Sequence, residues 1–367
     1  MRLRAWIVSL VGVPLIVAGT ATHALAGQHW DIDVHVGALM PTNPTSGTST
    51  LPAPGPDIPL NGPFPAITRR VPSWYFGDGA SILNQILGPR SPVRIAPLDP
   101  ILQSRIVERQ AGASFGFRVD RSLTRRFGAE FALDEAQGQL KVRQATDDQV
   151  SASQASFLAV WNMVLNAPSA GLQVVTSDTT LDGKRGRQLV TSGALLINLL
   201  SSDTFTPYVA VGAGYIAARG GTPSIRLTGD YDFRLQLPIV LPTPPQLHFN
   251  DADNVTIQTV AENSFTWVFG GGAKYALGSR WGVRADLRDH VNRDVVRTTV
   301  TTTPKSASTG TTSTATFALA PNAPLLIFSS SPLALSTLST TIADFQTFKG
   351  HGIVNQINAS AGMFWRF

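Results

Sequence analysis

INASAGMFWRF, residues 357 to 367, decides how the rest of the chain is read. Ile357, Ala359, Ala361, Met363, Trp365 and Phe367 form an apolar series. Between them Asn358, Ser360, Gly362, Phe364 and Arg366 form a series that is mostly polar or small. Alternation with a period of two marks a strand whose faces see different media. A soluble sheet turns its apolar side to a core; a strand in a closed membrane sheet turns it to lipid and sets its aromatics at the headgroups. Soluble termini are usually frayed and polar, so three large aromatics among the last four residues favour the membrane alternative. A closed sheet pairs its last strand with its first and leaves no backbone unsatisfied in lipid.

The same two-faced pattern recurs at 29–40, 110–120, 126–134, 189–200, 207–217, 264–277 and 281–293. In the first, Trp30, Ile32, Val34 and Val36 alternate with His29, Asp31, Asp33 and His35. In the last, Trp281, Val283, Ala285 and Leu287 alternate with Arg284, Asp286, Arg288 and His290. The expectation is therefore eight antiparallel strands of the ~9–11 residues that a tilted strand needs to cross a bilayer.

The connections alternate strictly. Near 121–125, 201–206 and 277–280 they are short; at about 41–108, 140–187, 219–261 and 294–349 they are long. Compact soluble domains seldom carry loops beyond about 15 residues, whereas an up-and-down membrane barrel has short turns on one side and long loops on the other. The fold class expected is all-β: a transmembrane antiparallel up-and-down barrel with four long extracellular loops and both termini periplasmic. Ten strands, with segments of the third or fourth long connection joining, is the alternative.

Composition agrees. The 367 residues contain no cysteine, which excludes a disulfide scaffold and thiolate metal sites. Only 14% are charged and the net charge of +5 is dispersed, which argues against nucleic acid. At the N-terminus, basic MRLR, apolar AWIVSLVGVPLIVAG and small Ala24 and Ala26 read as a signal peptide over 1–26, leaving 27–367 as the barrel domain.

The signal peptide, the phrases SSDTFTPYVAVGAGY and FGGGAKYALGSRWGVRADLRD, and the terminal FWRF resemble the eight-stranded bacterial outer-membrane barrel family of the OmpA transmembrane domain, OmpX and OmpW. The resemblance implies an outer-membrane location, contact with outer-membrane lipid and lipopolysaccharide, and recognition of the C-terminal strand by the outer-membrane insertion machinery. It specifies a fold better than a function. The chain departs from the small family members in its far longer, proline-rich loops.

The inward series assembles a candidate polar network for the barrel lumen. Its acids are Asp31, Asp33, Asp120, Glu130, Asp134 and Asp286; its bases are Arg118, Lys274, Arg284, Arg288 and Arg366, with His35 and His290 nearby. Trp30, Trp281, Trp365 and Phe367 are candidate interface or assembly-signal aromatics. An eight-stranded barrel is just wide enough for side chains to fill it, so the network reads as a plug of interlocking ion pairs, or as the gate of a narrow conduit.

Catalysis is not expected. RADLRDH gathers Asp286, Asp289 and His290, but lacks the His-x-Ser phrase that the resemblance would require of a lipid-modifying barrel enzyme. The glycines at 212–214 and 270–272 precede no helix, and read as room for large lumen side chains rather than as phosphate loops. NDADN at 250–254 carries oxygen ligands without the glycine and closing glutamate of a calcium hand. No cofactor or metal is expected.

In the long connections, residues 41–65 read as extended proline-rich chain and 80–87 as a short helix beside Trp74, Tyr75 and Phe76. Residues 147–168 carry a helical pattern with Val150, Phe157, Trp161 and Val164 on one face, a lid for the barrel mouth or a partner-binding helix. Segments flanking the third connection can extend as a hairpin, and the Thr/Ser/Ala tract after 297 reads as disordered or weakly paired. The functional expectation is a non-enzymatic envelope or surface-binding protein. A narrow channel is second, and a lipid-modifying enzyme a distant third.

Overall fold

The computed structural model describes residues 29–53, 57–60, 66–69, 71–87, 89–165, 170–182, 186–200, 202–236, 246–303, 305–306, 316–317, 326–327 and 341–367. The expected signal peptide, and parts of the proline-rich and Thr/Ser/Ala tracts, lie outside them.

Eleven strands carry the architecture: β1 (Trp30–Pro41), β2 (Gly112–Ser122), β3 (Phe127–Ala136), β4 (Ala170–Asp182), β5 (Arg187–Asn198), β6 (Phe205–Arg219), β7 (Ser224–Gln236), β8 (Gln246–Ala261), β9 (Ser264–Ala276), β10 (Trp281–Thr302) and β11 (Ile342–Arg366). Three helices interrupt them: α1 (Gly77–Leu87), α2 (Asp99–Leu102) and α3 (Gln144–Leu165).

The sheet has thirteen strands rather than eight, which corrects the expected count. Eight of them close on themselves. In ring order they are β1, β2, β3, β5, β6, β9, β10 and β11, each antiparallel to the next, and β11 pairs with both β10 and β1. At the base of the ring sit the short turns, and there Trp30 and Phe367 exchange backbone hydrogen bonds of 3.3 and 2.9 Å. The strands absent from the expected count are β4, β7 and β8, with Ser46–Ser49 and Lys305–Ser306. They escape the pattern because they lie in the long connections and pair above the ring, β8 on the upper half of β10, β7 on β8 and β4 on β7.

These connections therefore fold. β7 and β8 form the anticipated hairpin, in register from Ser224↔Gln258 to Gln236↔Gln246. One face of the upper sheet, carrying Ile225, Leu227, Val255, Ile257, Val296 and Val300, is buried against the helices and the 71–76 segment. On α3, Val150, Phe157, Val160 and Trp161 are fully buried, the i, i+7, i+10, i+11 stripe of an amphipathic helix. Trp74 meets Trp161 edge-on at 5.5 Å and Tyr75 stacks on Phe157 at 4.6 Å. The result is a cap with its own apolar core.

The ring itself is arranged the other way round. Val34, Val36, Phe131, Val211, Trp267, Leu287 and Met363 are exposed on its outside, while charged side chains fill its inside. From Phe205 to Tyr215, both exposed on β6, the chain climbs about 25 Å, taking ~3.3 Å per residue and a tilt near 40°.

Candidate functional site

Strand parity and ring closure together place the charges. On β10, Arg284, Asp286, Arg288 and His290 are buried at alternate positions, and on β1 so are Asp31, Asp33 and His35. Glycines opposite make the space. A Cβ at Gly272 would lie 2.6 Å from the Tyr208 hydroxyl and 2.9 Å from Asp286, and one at Gly116 would lie 2.6 Å from Asp134.

The network has a centre. The Arg284 guanidinium donates through Nε to Asp286 Oδ2 at 2.7 Å and to the Tyr208 hydroxyl at 2.6 Å, through Nη1 to Asp120 at 2.7 Å, and through Nη2 to Glu130. It also lies over the Tyr208 ring, 5.0 Å from the centroid. Around this hub, Arg288 reaches Glu130 at 3.1 Å and Asp286 at 3.0 Å, and Arg118 reaches Asp286 at 2.7 Å and Ser360 at 3.0 Å. Toward the base, Lys274 bridges Asp31 at 2.9 Å and Asp120 at 2.7 Å, and Arg366 donates to Asp31 at 3.0 Å. Toward the cap, His35 stands between Asp33 at 2.9 Å and Asp134 at 2.5 Å. His290 is buried nearby with no hydrogen-bond partner at Nδ1.

All thirteen lumen candidates thus lie inside the ring, Arg366 half-buried at its base. Trp30, Trp281, Trp365 and Phe367 are exposed around that base. Sequence reasoning missed Tyr208 and Phe364, both 2% exposed. Phe364 lies beneath Lys274 and Arg366, with cation-to-ring distances of 5.8 and 5.4 Å. Parity held the signal for both: Tyr208 precedes outward Val209, and Phe364 lies between outward Met363 and Trp365.

A polar vestibule of about 350 Å³ opens from the base as far as Asp31, Asp120 and Lys274. Beyond it the interlocked side chains occupy the lumen. Asp286 and His290 share this packed interior; the nearest hydroxyls to Asp286 belong to Tyr208 and, through Arg118, Ser360.

In the cap one carboxylate stands apart. Asp253, from the NDADN stretch, is wholly buried and its Oδ2 accepts from Ser73 Oγ at 2.8 Å and from the Trp74 amide at 2.7 Å. Burial pushes its pKa up to about 7, with those two hydrogen bonds pulling the other way. Burial likewise raises the Tyr75 phenol, whose hydroxyl contacts Ser177 at 2.8 Å.

Comparison with known proteins adds little. No protein-family model and no curated protein matches the chain. Among solved structures it is similar to the outer membrane protein OprG from Pseudomonas aeruginosa, with TM-score 0.38, 9% identity and coverage of 93% of this chain and 96% of that one. It is also similar to the P. putida toluene transporter TodX (TM-score 0.15, 8% identity, 93% and 90% covered) and to the CymD monoaromatic hydrocarbon channel (0.14, 9%, 93% and 88%). At such scores the likeness says nothing of what this chain does.

Proposed function

We propose that this chain is an outer-membrane protein of the eight-stranded barrel type, non-enzymatic, with a plugged lumen and a folded extracellular cap through which it acts at the cell surface. One observation carries the reading. Along β10 the inward face bears Arg284, Asp286, Arg288 and His290 below, then above Asp294 buries Val296 and Val300 in alternation with Thr298 and Thr302. Its outward face changes from Val283 and Leu287 to Arg293 and Arg297. A strand that keeps its parity but inverts its polarity is passing from one solvent to another. In lipid the apolar side goes out, and in water it goes in. The inversion falls near Asn292–Asp294, at the top of the belt that Phe265 and Tyr215 mark.

The charge network supports a plug, since Arg284 joins partners on four strands across the lumen. The vestibule at the base is the observation that favours a narrow channel instead. Planar-bilayer recording decides between them. The refolded protein, its folding verified by heat-dependent gel mobility, is expected to be silent. Reproducible small steps that widen in Arg284→Ala would replace the plug with a gated pore.

A further inference from the structure

Above the apolar belt the ring wall has a seam. β6 pairs with β9 only as far as Ile216↔Ser264, so its last residues have β5 on one side and, among the described residues, no strand on the other, the Ala218 amide donating instead to the Asn263 side chain at 2.9 Å. Between this edge and the end of β8 lies a cleft of about 180 Å³, lined by Arg109, Arg187, Arg219, Gly220 and Val260 among others. The turn that opens it depends on Gly220, whose φ of 85° is left-handed.

Three arginines face this one space. Arg187 and Arg219 are exposed and stand directly opposite each other in the β5–β6 register. Like charges at directly opposed positions destabilise a strand pair unless something neutralises them. Glu135 gives Arg187 one contact at 3.4 Å, and Arg219 has no partner among the described residues. Arg109 is only 6% exposed, and its Nε and Nη1 have no hydrogen-bond partner. Asp294 acts on it electrostatically, but no ion pair joins the two. A buried guanidinium without an acceptor is costly, and the group it suits best is a planar or tetrahedral oxyanion bound through two parallel N–H donors.

We propose that this seam is an oxyanion-binding site of phosphate type, holding a phosphate monoester between Arg109, Arg187 and Arg219. Its height suits a lipid source. Arg219 lies four residues beyond Tyr215 on the same outward face, about 10 Å further from the belt, where headgroup phosphates lie. The lipid source rests on the reading of the ring as membrane-spanning; the anion chemistry does not.

The test has two arms. In the first, protein refolded in an uncharged detergent is titrated with inorganic phosphate at constant ionic strength, and its melting temperature is followed by tryptophan fluorescence. In the second, the protein is reconstituted in phosphatidylcholine vesicles containing lipopolysaccharide, or lipopolysaccharide stripped of its phosphates. A saturable rise with phosphate that weakens about tenfold in Arg219→Gln and Arg109→Gln supports the site and shows that the free anion suffices. A rise seen only with phosphorylated lipopolysaccharide, and lost in the same variants, supports the site with lipid as its source. No rise in either arm, or a rise unchanged in Arg219→Gln and Arg187→Gln, overturns the proposal. Arg219→Gln changes an exposed residue, so it decides the matter even if Arg109→Gln fails to fold. Failure to insert into vesicles would count against the membrane reading alone, because the detergent arm reads the site without it.

Discussion

Arg284 donates to Asp120, Glu130, Asp286 and Tyr208 from a position 2% exposed to solvent. Each of those acids has a second cation, since Lys274 also serves Asp120, and Arg288 serves both Glu130 and Asp286. These acids are therefore shared, but among the described residues Arg284 alone bonds to all three. Arg284→Ala leaves three carboxylates crowded around a void and is expected to cost about 3–5 kcal/mol, read from urea unfolding in vesicles. Asp253 makes a different prediction. Its folded pKa of about 7 lies above the ordinary carboxylate value, so the folded cap holds a proton that the unfolded chain releases. The contribution of Asp253 to cap stability is therefore greatest below about pH 4, falls as pH rises to 7 with a slope of at most about 1.4 kcal/mol per unit, and is flat above that. Hydrogen-exchange protection of the Trp74 amide, which donates to Asp253, should follow that curve. In Asp253→Asn it should lose its pH dependence.

Among the elements, α3 ties the cap together through Phe157 and Trp161. Trp161→Ala should cost the cap about 3–5 kcal/mol, seen as faster proteolysis of the cap, while the ring keeps its heat-dependent mobility. Gly272→Val should act in reverse. Its Cβ would meet the Ala285 carbonyl oxygen at 2.3 Å and the Tyr208 hydroxyl at 2.6 Å, so the ring should fail to close and the heat-resistant band should disappear. The elements also show what could be read beforehand. The ring segment of every strand in the closed cycle was legible, because apolar residues outside and charge inside write an alternation into residues such as 29–40 and 281–293. The upper parts of β10 and β11 were not, because the alternation of apolar-out and charged-in residues stops there, and buried Val296 and Val300 read as noise against the pattern below. β7 and β8 were legible as a hairpin and entered the sheet only in the ten-strand alternative, whereas β4 was missed because its pairing joins segments far apart in sequence, such as Thr180 with Arg226. The lumen acids and bases followed from parity alone. Their partners did not, since which carboxylate Arg284 reaches depends on closing the ring.

At the scale of the molecule, two environments meet on one set of strands. The belt of about 25 Å carries exposed apolar side chains around the ring, whereas the cap buries its apolar residues in a core of its own. A refolded sample in detergent should therefore show two separable transitions, the cap melting first in denaturant and the ring persisting. Coincident loss of cap tryptophan packing and heat-dependent mobility would mean instead that the ring cannot stand without the cap. No helix among the described residues is long and apolar enough to cross a membrane.

β10 and β11 run as one hydrogen-bonded ribbon from Trp281↔Trp365 at the base to Thr302↔Ile342 at the far end of the cap, with register shifts only beyond Thr298. No register shift separates the ring part of this ribbon from the start of its cap part. A sideways pull on the cap is met by many ladder bonds loaded together in shear, rather than one at a time as in peeling. The cap is thus held at a fixed heading relative to the ring, like a mast stepped through a deck, and on the proposed reading any load taken by the cap would pass straight into the ring wall.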